Sequence, residues 1–92
     1  MDSNARSLLS VNILLDPFAA NLEVRINDGC RPWVLTHDFQ RYLREGPLAT
    51  AQYLAKRYLV SRPDQLRFIS VPALSALLLA ALEEHELRDA CA

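Results

Sequence analysis

Leu22-Glu23-Val24-Arg25-Ile26-Asn27-Asp28-Gly29 is the stretch on which the fold turns. Apolar and polar residues alternate from Leu22 to Asn27, so one face of an extended chain is apolar and the other polar, the period of a half-buried strand. Asn27-Asp28-Gly29 then supplies residues that tolerate positive φ, a strong hairpin signal. Toward the N-terminus, Leu9, Val11, Ile13 and Leu15 alternate with Ser10, Asn12 and Leu14. Asp16-Pro17 breaks that run, because proline restricts its predecessor and has no N–H. Toward the C-terminus, residues 31–36 form the returning strand, with Trp33 and Leu35 on one face. Pro32 near its start demands an edge position, or an N–H direction that faces no neighbour. The expected strands are residues 9–15, 22–27 and 31–36.

Past Thr36 the period lengthens. Thr36 or Asp38 is placed to cap a short helix carrying Phe39, Tyr42 and Leu43, and Gly46 to end it. Pro47 suits the first turn of a second helix, whose apolar stripe is Leu48, Ala51, Ala55, Tyr58 and Leu59. Ser70 caps a final helix with Pro72 in its first turn. The expected helices are 38–45, 47–60 and 71–87, with a short extra strand near 66–69. This is an α+β fold in one domain over residues 1–92: a three-stranded antiparallel sheet followed by three helices, winged-helix-like.

The chain has 92 residues, 51% hydrophobic and 23% charged. That composition excludes wholesale disorder, and two glycines exclude a Gly-rich phosphate loop. A net charge of −1 argues against a general polyanion binder. The charge is unevenly spread. Residues 25–67 carry a net +4 and residues 71–92 a net −3. Solvated faces account for such a split, and the sharper reading is a basic groove for an acidic peptide or partner.

No catalytic constellation is legible. His37 sits at a helix entrance and His85 among Glu83, Glu84 and Glu86, with no nucleophile and base in register. Cys30 and Cys91 match neither a redox pair nor a zinc site, and two reduced thiols are expected. No metal and no cofactor is expected, and no enzymatic activity. The longest apolar run, residues 71–82, is too short to span a bilayer, so a cytoplasmic location is expected. Nucleic acid is disfavoured as a partner: about ten residues separate the second and third expected helices, far more than a helix-turn-helix turn, and the last helix is acidic and Leu-rich.

That last helix is apolar nearly all round. Leu74, Leu77, Leu78, Ala81 and Leu82 form one stripe, and Ala73, Ala76, Leu79 and Ala80 cover most of the rest. It is buried either between sheet and helices or against a second subunit or bound peptide. An edge strand offers unpaired backbone groups to an extended peptide. A protein or peptide partner is therefore expected, with Arg31, Trp33, Val34 and Leu35 of the edge strand and Leu74, Leu77, Leu78 and Ala81 of the last helix lining the cleft. A homodimer or other homo-oligomeric scaffold is the alternative.

Val11-Asn12-Ile13-Leu14-Leu15-Asp16-Pro17-Phe18-Ala19-Ala20, with the sheet-then-helix order, resembles the start of the mycofactocin-type chaperones among the PqqD-like peptide-recognition proteins. Residues 46–59 and 73–87 are similar in tenor to the later helices of that group. The resemblance implies a bacterial protein that holds the leader of a ribosomally made precursor for a separate modifying enzyme. The leader would add beside residues 31–36 and contact Leu74, Leu77, Leu78 and Ala81. Leu35-Thr36 stands where the group often has Leu-Asn, and the connection of residues 61–70 is longer than in the group. Asp16-Pro17-Phe18-Ala19, Trp33-Val34 and Asp38 also resemble motifs of the SsgA-like actinobacterial regulators, which implies a homo-oligomeric regulator instead.

Overall fold

The computed structural model describes residues 9–16, 18–29 and 31–91, with side chains through Glu84. Cys30 and the side chains of His85 and Cys91 lie outside the described residues, and the thiol expectation with them. Three strands, β1 (Ser10–Asp16), β2 (Asn21–Asn27) and β3 (Pro32–Asp38), form an antiparallel sheet in the order β1-β2-β3. The alternation seen in the sequence becomes three rungs on one face: Val11–Ile26–Trp33, Ile13–Val24–Leu35 and Leu15–Leu22–His37. Leu22, Val24 and Ile26 of the central strand are fully buried, each such side chain contributing about 1.5–3 kcal/mol. At the β2–β3 turn Gly29 has φ 94° and donates its N–H to the Asn27 side chain at 2.8 Å, while Arg31 donates to Asp28 at 3.1 Å. Side-chain carbonyls thus mimic the backbone bonds of the turn.

Two helices follow, α1 (Phe39–Ser61) and α2 (Val71–Cys91), where three were expected. The reason lies at Gly46, whose φ 87° and ψ 169° are non-helical, so that two helical segments abut across a kink and run on as one element. That region of backbone space is open to glycine almost alone. Pro47 follows at once, and the chain resumes its helix with no connector, so residues 38–45 and 47–60 are one bent element. Asp38 caps α1 by accepting the Arg41 N–H at 2.9 Å, and Ser70 accepts the Ala73 N–H at 3.2 Å at the start of α2.

The extra strand expected near 66–69 does not form. Pro63–Arg67 is a 3₁₀ turn. Gln65 donates its N–H to the Arg62 carbonyl, and its own carbonyl accepts from Phe68 and Ile69 at 2.9 and 3.1 Å. Those local bonds consume the backbone groups a strand would need, and Leu66 and Phe68 both face solvent.

One hydrophobic cluster unites the sheet's inner face with Leu54, Ala55, Tyr58 and Leu59 of α1 and Leu74, Leu78 and Leu82 of α2. The two helices lie side by side on that face. Against β3, α1 packs Tyr58 edge-on to Trp33 (ring centroids 5.4 Å apart) and Tyr53 on His37 (5.6 Å). The sheet partner of α2 is β1. Among the described residues, no helix is long and apolar enough to cross a membrane.

Candidate peptide-binding edges

A strand's N–H and C=O groups point alternately to its two neighbours, so one bond fixes the direction of all the rest. Phe39 donates its N–H to the Ala20 carbonyl at 3.0 Å, continuing the β2–β3 register by one residue. Trp33, Leu35 and His37 therefore bond to β2, and Pro32, Val34 and Thr36 turn their backbone groups outward. Pro32 loses no ladder bond, since its missing N–H falls on the open side. The same alternation across β2 directs Ser10, Asn12, Leu14 and Asp16 inward and leaves Val11, Ile13 and Leu15 with outward backbone groups.

The outer end of β3 is partly closed. From the C-terminal end of α1, Arg62 donates to the carbonyls of Arg31 (2.9 Å) and Pro32 (3.2 Å), and sits 3.5 Å from the Asp28 carboxylate. Among the described residues nothing closes the backbone groups of Val34 and Thr36. Above them, on the α1 flank turned away from α2, Tyr53 gathers two cations. The Arg41 guanidinium lies 4.5 Å from its ring centre, and Arg57 donates to its hydroxyl at 2.8 Å, contacts worth about 0.5–1 kcal/mol at exposed sites. Arg41 also pairs with Glu45 at 3.1 Å. The rim of β3 thus sets two guanidiniums on one aromatic ring, with Glu45 offsetting part of the charge.

Among the described residues, His37 is the one titratable group on the sheet's inner face. Its Nε2 has no hydrogen-bond partner among the described residues. Burial, and then the Arg41 charge, push its pKa below the ordinary 6.5, with Glu45 and Asp38 opposing. A depressed histidine leaves the unfolded chain binding more protons, so stability rises with pH across this window. The thermal midpoint should fall as pH is lowered from about 6.5 through the folded-state value, and His37→Phe should flatten that slope. An unchanged slope in the variant would refute the assignment.

The eight residues expected to line one cleft do not come together. Arg31 precedes β3 with its carbonyl held by Arg62. Trp33 and Leu35 are half-buried on the inner face, and Val34 is 53% exposed on the outer one. Leu74 and Leu78 are fully buried core residues, unable to meet a peptide. Leu77, 45% exposed, and the half-buried Ala81 do reach the surface of α2, but that helix packs on β1, not β3. The expected cleft between residues 31–36 and the last helix is corrected accordingly: β3 is roofed by α1 and β1 by α2. Arg41, Arg57 and Arg62 belong to the basic stretch of residues 25–67 but the sequence did not place them at β3, and Tyr53 was not singled out. The i,i+4 spacing of Tyr53 and Arg57 was a usable signal for that pair, whereas nothing local foretells the reach of Arg62.

Between the helices, on the side away from the sheet, a groove of about 410 Å³ is lined by Leu48, Gln52 and Lys56 of α1 and Val71, Ser75 and Leu79 of α2. Among the described residues no group of three or more His, Cys, Asp or Glu could hold a metal ion. No family model matches the chain, and no curated protein or solved structure is detectably similar to it.

Proposed function

We propose that the protein is a non-catalytic binding module that takes an acidic, extended peptide onto the open edge of β3. The observation that carries this reading is the outward N–H and C=O of Val34 and Thr36 beneath the Arg41–Tyr53–Arg57 cluster. Strand addition would supply affinity through main-chain bonds, and the cations would select acidic side chains at alternate positions. In its finer form the reading makes the peptide the leader of a precursor, held for a separate modifying enzyme, with sheet and helices as a winged-helix-like holder. The PqqD-like sequence resemblance favours that form.

A fluorescein-labelled peptide alternating glutamate and threonine is a suitable probe, beside a lysine–threonine control. The acidic probe should bind in the micromolar range, more weakly as salt rises, and Arg57→Glu should weaken it about tenfold or more. Amide exchange at Val34 and Thr36 should slow on binding. Absence of binding at about 100 µM probe, or indifference to Arg57→Glu, would refute the reading.

A further inference from the structure

We infer that β1 is a second strand-addition site, of opposite chemistry to β3, that accepts a lone extended segment with apolar side chains at every second position. Val11, Ile13 and Leu15 each direct one donor and one acceptor away from the sheet. Among the described residues nothing blunts that edge. Residues 10–15 contain no proline and no charge, and Asp16 stands only at the end, whereas β3 carries Pro32 and the Arg62 clasp. Long apolar edges without such guards pair with whatever strand reaches them.

The roof above this edge selects the occupant. On α2, Leu74, Leu78 and Leu82 face the core, and Val71, Ser75 and Leu79 face α1. Helical spacing then puts Ala73, Leu77 and Ala81 on the opposite flank, which overhangs the outer side of β1. A segment pairing antiparallel with β1 would place its alternate side chains on the same face as Val11, Ile13 and Leu15, beneath that flank. The two alanines leave space for side chains on either side of Leu77. Its intervening residues would lie on the outer sheet face beside Asn12 and the half-exposed Leu14, so they can be polar but gain nothing from charge.

A second copy of the chain fits less well. Pairing β1 with its own copy sets the two strands about 4.8 Å apart and carries a second α2 over the same strip of sheet. Packed helices need about 8–10 Å between axes. A strand with no helix of its own above it meets no such conflict. The two edges lie on opposite sides of the sheet, so one module could hold an acidic segment on β3 and an apolar one on β1 together.

Amide hydrogen exchange with a seven-residue uncharged peptide alternating valine and threonine tests this. In the free protein the N–H groups of Val11, Ile13 and Leu15 should exchange rapidly, and saturating peptide should slow them about tenfold or more. Leu77→Arg, an exposed change that leaves the core untouched, should weaken that protection about tenfold, while Arg57→Glu should leave it unaltered. Protection already present without peptide would overturn the proposal, because another part of the chain or a second copy then holds the edge; sedimentation would say which. Failure of the peptide to protect these amides at millimolar concentration, or protection insensitive to Leu77→Arg, would overturn it equally. The β3 readouts at Val34 and Thr36 are independent of all three results.

Discussion

Leu78→Ala should remove about 2–5 kcal/mol of stability. Leu78 has no solvent exposure and lies in the cluster that joins α2 to the sheet. Its loss leaves a cavity between two rigid layers that cannot close on it. A chain of 92 residues has of the order of 5–14 kcal/mol in total, so the variant should be marginal at room temperature. Denaturant titration reads this directly as a lower midpoint with a similar slope. Leu77→Ala, one residue away on the exposed flank, should cost less than about 1 kcal/mol. Equal losses at the two positions would contradict the burial pattern of α2.

The second large effect is expected at Arg62. One guanidinium, only 12% exposed, spans the Asp28 carboxylate and the carbonyls of Arg31 and Pro32, and so ties the end of α1 to the β2–β3 turn. Hydrogen bonds from a charged donor are worth about 1.5–3 kcal/mol, and removing the donor also takes the Arg62 charge away from the Asp28 carboxylate, which is only 13% exposed. Arg62→Ala should therefore destabilise by about 2–3 kcal/mol, a drop in thermal midpoint of roughly 8–20 °C for a domain this size. Arg62→Lys should recover less than half of the loss, because an ammonium cannot reproduce the planar fork. The same substitution unclasps the first outward carbonyl of β3, so faster amide exchange around Pro32–Asp38 should accompany it. Full rescue by lysine would show that charge alone matters there.

The sheet was legible because strand alternation is a local signal. Leu22, Val24 and Ile26 announce their face without reference to anything distant, and Asn27 and Gly29 announce the turn. Pro32 marked β3 as an edge for a reason the hydrogen bonds repeat. The helical half was less legible. Gly46-Pro47 signals a break in helical dihedrals, yet a kink and a connector look alike in one dimension. Residues 66–69 alternate only weakly, and bonds around Gln65 outcompete any pairing. Most consequential for function, a sequence does not say which sheet edge a final helix covers. Placing α2 on β1 moved Leu77 and Ala81 away from Trp33 and Val34, and sank Leu74 and Leu78 into the core. The Arg62–Asp28 contact spans 34 positions and leaves no local trace at all.

Strand order in the sheet follows chain order, and that meander has a kinetic consequence. Each strand pair closes over a short turn, as does α1 onto β3, so these steps incur little loop-closure entropy. The docking of α2 on β1 is different, since it joins opposite ends of the chain. It should come late, after the sheet and α1 have formed a partial nucleus. Truncation at Leu78 should then leave the refolding rate nearly unchanged and accelerate unfolding on the order of a hundredfold, so that the life of the native state is governed by how long the last helix stays down.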